Sequence, residues 1–247
     1  MIPVKSKNEL KKVKQAGVIV AKTLKFLAGK VKPGVTTKEL DADAALFIEK
    51  SGGKAAFLGY HGFPAHICVS INEEVVHGIP SGRMVRNGDI VSLDVGVELE
   101  GYFADAAITV PVGKISKTAQ RLLKITKDAL YKGIAAARCG RHLSDISFAI
   151  QNYVEKTGFS VVRDFVGHGI GLKLHEEPQI PNFGKPGQGV KLEAGMVLAI
   201  EPMINAGGYE VEILPNGWTA VTRDRKISAH FEHDICITDS VAEIFTI

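Results

Sequence analysis

Residues 8–28 place Leu10, Val13, Val18, Leu24 and Leu27 at helical intervals with lysines between them, the pattern of a surface helix with one buried face. Lys11, Lys12 and Lys14 then form its solvated side. The next periodic run opens at Thr36, where Glu39 three residues on completes a capping box, and it stops before Ser51-Gly-Gly. This predicts a second helix ending near Lys50. Between 55 and 80, glycines and aromatic residues break any single period, as in mixed strand and loop. At 90–110 the period changes. Ile90, Leu93 and Val95 precede a Glu98-Leu99-Glu100-Gly101 turn, and Ala104, Ile108 and Val110 follow it, which reads as a hairpin. Asp94 and Asp105 interrupt its two apolar runs. An ionised carboxylate among Ile, Val and Leu carries a large desolvation cost unless a cation or dense hydrogen bonding compensates. A bound metal is one such compensation, ordinary edge-strand acids are the plainer alternative, and the register that would decide is not written in the sequence.

The pattern then repeats. Glu49-Lys50-Ser51-Gly52 matches Glu155-Lys156-Thr157-Gly158 at an offset of 106, which also carries Gly34 to Gly140 and Glu39 to Asp145. An offset of 107 takes Gly88 to Gly195 and Asp94 to Glu201. After a longer insertion, Asp105-Ala-Ala-Ile-Thr-Val aligns with Glu232-His-Asp-Ile-Cys-Ile. Common order and nearly constant spacing point to a duplicated fold with halves of about 1–113 and 114–247 in one domain. Two such units about a pseudo-twofold axis would bring Asp94, Asp105, Glu201 and Glu232 toward one point, where they repel unless protonated or bound to cations.

Composition narrows the class. The 247 residues are 45% hydrophobic with a net charge of +3, enough for a buried core and too evenly mixed to require a nucleic-acid partner. Cys68, Cys139 and Cys236 are scattered, without C-x-x-C, which argues against a disulfide framework or a zinc finger and fits a reducing cytoplasm. No apolar run approaches the roughly 18 residues of a membrane span, and the lysine-rich beginning is unlike an export signal. A monomer with no DNA or membrane partner is expected, and the lysine face could touch an anionic surface such as the ribosome.

Val166-Gly-His-Gly-Ile-Gly holds His168 among glycines that allow close backbone approach. It is not G-x-G-x-x-G, and His175-Glu176-Glu177-Pro178-Gln179 is not an H-E-x-x-H zinc helix. His168 is therefore the better candidate to join the four acids.

Taken together, Ser92-Leu-Asp94-Val, Asp105, Gly167-His168-Gly-Ile-Gly, Ala199-Ile-Glu201-Pro-Met and Phe231-Glu232-His-Asp resemble the motifs of the methionine aminopeptidases. Gly59-Tyr60-His61-Gly62 and His77-Gly-Ile-Pro80 add the pattern of the bacterial type I branch. The resemblance implies an α+β pita-bread fold, internally duplicated, with a curved antiparallel sheet covered by helices. It implies removal of the initiator methionine from nascent polypeptide N-termini, favouring a small second residue, by attack of a metal-bridging hydroxide.

Carried over by position, the resemblance makes Asp94, Asp105, His168, Glu201 and Glu232 ligands of two divalent ions, with Asp105 and Glu232 bridging. Asp94 would complete one ion's shell, and His168 with Glu201 the other's. A mostly oxygen donor set with one nitrogen suits Mn, Fe or Co, with Zn also admissible. Glu201 would also shuttle protons, His175 would stabilise the tetrahedral intermediate and His77 would lie beside the scissile nitrogen. Tyr60, Phe63, Cys68 and Trp218 would form the methionine pocket, with Phe57 at its margin. The chain departs from family members that carry cysteine where Phe57 stands and threonine where Gly96 stands. The departures bear on pocket shape and on any auxiliary monovalent-cation site.

Proline-directed relatives generally carry a large N-terminal domain, for which Asp94 lies too early. Type II forms carry an insertion between Glu201 and Glu232 that is missing here. A non-catalytic peptide-binding relative would be expected to have lost ligands. A calcium-binding domain is opposed by His168 and by the lack of a D-x-[DN]-x-[DN]-G loop.

Overall fold

The computed structural model describes residues 2–247. Helix α1, Lys7–Ala28, begins at a capping box in which the Ser6 side chain faces the Glu9 N–H and Glu9 returns to Ser6. Its buried stripe is Val13, Ala16, Gly17, Val20, Leu24 and Leu27. Val18, which the sequence placed with the apolar residues, is exposed, because that stripe turns it away from the sheet. Gly17 has a packing reason: a Cβ there would come within 2.6 Å of the Phe245 carbonyl oxygen. Helix α2, Thr37–Lys50, starts at the expected Thr36–Glu39 box and buries Thr37, Leu40, Ala44 and Ile48.

These two helices cover the outer face of an antiparallel four-stranded sheet, in a core that joins Val20, Leu24, Leu40 and Ile48 to Val69, Ile71, Val91, Leu93 and Val95. The hairpin at its centre pairs Ile90–Leu99 with Tyr102–Pro111 over their full lengths. Helices α3, Lys117–Ala136, and α4, Leu143–Glu155, play the same part in the second half. There Leu122, Ile146 and Ile150 pack with Leu198, Ile200 and Ile235 behind a five-stranded sheet. Four helices over curved antiparallel sheets make the α+β arrangement that the sequence led us to expect.

Positions one offset apart share local geometry. Gly34 and Gly140 take φ of 93° and 80°, and Gly88 and Gly195 take 97° and 94°, left-handed conformations that glycine adopts without a Cβ penalty. Gly34 N–H donates to Val85 O as Gly140 N–H donates to Leu192 O. The isolated bridge Thr36–Met84 has its counterpart in His142–Lys191.

Where the halves meet, Glu232 N–H donates to Ala107 O and Asp105 N–H to the Asp234 carboxylate at 2.9 Å. His230 N–H bonds the Thr109 hydroxyl at 2.9 Å, and that hydroxyl donates to His230 O at 2.7 Å. The first hairpin is thus stitched to the 230–234 segment, and the inner faces of both sheets turn toward one cleft. Among the described residues no helix is long and apolar enough to cross a membrane.

Candidate metal centre

Strand register decides what the hairpin presents. Asp94 lies opposite Ala107 on one side and Cys68 on the other, and Asp105 lies opposite Gly96. Residues paired across a ladder point to the same face. Asp94, Asp105, Gly96 and Cys68 therefore share the inner face, while Leu93, Val95, Ala104 and Ala106 enter the core under the helices.

The second half supplies the rest. His168 sits in the short strand Gly167–Gly169 beside Val197–Ile200, whose end delivers Glu201, and Glu232 immediately precedes the strand His233–Cys236. His168 Nε2 lies 3.5 Å from both Asp105 Oδ2 and Glu201 Oε1. Ligand atoms of His168, Glu201 and Glu232 fall within 4.8 Å of one another, and so do those of Asp105, His168 and His175. Asp94 Oδ1 and Asp105 Oδ1 are buried with no hydrogen-bond partner.

The electrostatics match that crowding. Burial, with Asp105 and Glu201 nearby, pushes Asp94 up to about 7 despite the counteracting His230. Burial and then the Asp105, Glu201 and Asp94 charges raise Glu232 well above the carboxylate range. For Asp105 burial works upward, but His168 outweighs it and holds the carboxyl below its ordinary value. Burial would lower His168, yet Asp105 and Glu201 raise it to about 9. Four converging carboxylates, two of them with an orphaned buried oxygen, and one imidazole fit divalent cations, whose charge would satisfy what protons otherwise must.

All twelve residues singled out from the sequence line a single cleft of about 900 Å³: Asp94, Asp105, His168, Glu201, Glu232, His77, His175, Phe57, Tyr60, Phe63, Cys68 and Trp218. The Tyr60 hydroxyl meets His175 Nδ1 at 2.8 Å. His77 adopts φ of 57°, a strained backbone for a non-glycine residue, and its ring stands edge-on to Phe165 with centroids 5.4 Å apart. Phe63 and Trp218 pack edge to face at 5.2 Å. The Phe57 ring occupies the space where a Gly96 Cβ would lie.

Sequence reasoning missed several neighbours. His230 is buried with Nε2 unpartnered, 3.6 Å from Glu201 Oε2. Asp234 is fully buried, raised well above its ordinary range by burial and by Asp105, and accepts the Asp105 N–H. His61, Phe165 and Leu174 also line the cleft. The one signal available was position: His230 and Asp234 each stand two residues from Glu232 in a strand-like segment, and alternation sends such residues to the same face.

The model of metallopeptidase family M24 matches residues 11–239, and the chain belongs to that family. It is 53% identical over 247 residues to a methionine aminopeptidase of Clostridium perfringens, spanning 100% of this chain and 99% of the relative. It is also 53% identical over 246 residues to methionine aminopeptidase 1 of Bacillus subtilis, again spanning 100% and 99%. The crystal structure of methionine aminopeptidase from Rickettsia prowazekii superposes with a TM-score of 0.99 at 45% identity, covering 100% of both chains. A prolidase from Pyrococcus furiosus shares the fold at a TM-score of 0.82 and 21% identity, with 99% of this chain and 65% of the prolidase covered.

Proposed function

We propose that this metallopeptidase removes the N-terminal methionine from polypeptides whose second residue is small, acting on nascent chains. The observation that carries the reading is the juxtaposition, in one cleft, of the five-residue ligand set with an apolar wall of Tyr60, Phe63, Cys68 and Trp218. That wall has the softness and depth an unbranched thioether requires. Asp94, Asp105, His168, Glu201 and Glu232 would hold the divalent ions. Mn, Fe and Co suit this donor set. Bound there, such ions would supply an activated water and polarise the scissile carbonyl.

The chain's own groups do the rest. Burial and then the neighbouring His168 hold His175 down to about 4, so it is neutral at working pH. The Tyr60 hydroxyl and His175 Nδ1 share a hydrogen bond. In the tautomer that takes the Tyr60 O–H at Nδ1, the ring proton resides on Nε2, where it can be donated to the oxyanion of the tetrahedral intermediate. His77 is likewise held neutral, down to about 4, chiefly by burial. It stands beside the departing nitrogen and orients it. Glu201 carries the proton from the attacking water to that nitrogen. A free α-amine at the acidic cluster accounts for exopeptidase action.

The test is release of methionine from Met-Gly-Met-Met and from its N-acetylated copy, using chelated protein restored with Co²⁺ or Mn²⁺, alongside His168→Ala. Metal-dependent release from the free peptide alone, abolished in the variant, is the expected result. Absence of release with every divalent metal would turn the reading toward a peptide-binding relative. The three free cysteines suit a reducing compartment such as the cytoplasm.

A further inference from the structure

Outside the ligand set, the described residues contain one deeply buried lysine. Lys5 is 6% exposed, and its Nζ lies 2.6 Å from Glu176 Oε2, with the two side chains 3% and 7% exposed. Glu176 immediately follows His175. Its other oxygen accepts the backbone N–H groups of Leu172 and Lys173 at 2.7 and 3.0 Å. One carboxylate therefore closes the loop that ends in His175, and one lysine holds that carboxylate.

The lysine is itself held on both sides. Its N–H donates to Gly195 O at 2.9 Å, and the Ser6–Glu9 capping box that opens α1 follows directly. Gly171, at the base of the loop, leaves room for the lysine stem, since a Cβ there would meet Lys5 Cε at 2.5 Å. Pro3, two residues earlier, lines the cleft. A buried ion pair is seldom a net source of stability, but removing one partner strands the other's charge. What the pair does provide is geometry: Lys5 straps the segment 3–5 to the loop that ends in His175, while the Tyr60 hydroxyl holds the His175 ring at Nδ1.

We propose that Lys5 is a positioning residue, which through Glu176 and the Leu172 and Lys173 amides fixes His175 relative to the reacting peptide, so that the amino-terminal strap belongs to the working site. The inference rests on the aminopeptidase reading of His175. Lys5→Met retains the stem and removes the charge, and Lys5→Arg retains the charge.

On Met-Gly-Met-Met with Mn²⁺, Lys5→Met lowers kcat about tenfold or more, as displacement of a catalytic group by a fraction of an ångström does. KM stays within about twofold, since ground-state contacts are intact, and Lys5→Arg recovers most of the rate. In a His175→Ala background the same Lys5→Met change alters kcat by less than about twofold, because the residue it positions is gone. Amide exchange at Leu172 and Lys173 accelerates in Lys5→Met, and Mn²⁺ affinity measured by calorimetry on the chelated protein is unchanged. A normal kcat in folded Lys5→Met, or an undiminished loss in the His175→Ala background, overturns the proposal. Should Lys5→Met not fold, Glu176→Gln, which keeps an acceptor for both amides but not the ion pair, is read the same way. If the unaltered protein releases no methionine, the aminopeptidase reading fails by itself, and unchanged exchange at Leu172 and Lys173 would separately overturn the strap.

Discussion

At the scale of single residues, Phe57 and Gly96 show how two local choices depend on each other. Phe57 is 9% exposed, and its ring fills the volume that any Gly96 side chain would claim, directly across the ladder from Asp105. Neither residue is explained alone. Gly96→Thr should destabilise the protein by about 1–3 kcal/mol through overpacking. The same change in a Phe57→Cys background should be far milder. Urea unfolding of the four proteins measures the coupling, and additive effects would show that the two sites do not share this space. The pair also illustrates what the sequence withheld. Both positions were visible as departures from the aminopeptidase pattern, but only the pairing of Lys54–Ala55 beside the Ile90–Leu99 strand, carried on by the Ala56 N–H to Gly96 O bond, places the ring over the glycine.

Among elements, the decisive contact is the stitch between the first hairpin and the 230–234 segment. The Thr109 hydroxyl bonds Ser92 Oγ at 2.8 Å, accepts the His230 N–H and donates to the His230 carbonyl, all in buried surroundings. Thr109→Val preserves shape but strands these groups. A stability loss of about 1–3 kcal/mol is expected for each buried polar group left unsatisfied, read as a lower urea midpoint, together with weaker Mn²⁺ binding as Glu232 drifts from Asp105. The helices, the hairpin with its turn, and the glycine-flanked His168 were legible in the sequence because each is a local pattern of period, cap or turn chemistry. The pairing of Cys68 with Asp94, and the entry of His230 and Asp234 into the site, were not, since they follow from strand register and from contacts spanning more than a hundred residues. From the shared glycine geometry and bridges at matching offsets we infer that the halves 1–113 and 114–247 are copies of one unit. Gly34→Ala and Gly140→Ala, each at a left-handed position open to solvent on the Cβ side, should then destabilise by similar amounts in chemical denaturation.

For the whole molecule, the acidic centre links stability to both pH and metal. Asp94, raised to about 7, and Glu232, raised well above its ordinary value by burial, hold protons in the folded protein that the unfolded chain releases near 4. The chelated fold thus binds more protons than the unfolded chain across that window, so these groups' contribution to its stability is full below pH 4 and is lost as pH rises toward 7 and beyond. Metal binding reverses the penalty, because cations take the place of those protons and also displace the one that His168, raised to about 9, would otherwise carry. The increment in Tm on adding Mn²⁺ to chelated protein should therefore be small near pH 5 and grow steadily to pH 8. Using the increment cancels groups whose charge is indifferent to metal, including the neutral-held His233, which burial lowers to about 4. An increment that stayed flat across that range would mean that the carboxylates are already ionised without metal, and that the cleft is held open by hydrogen bonding instead of by the cations its geometry invites.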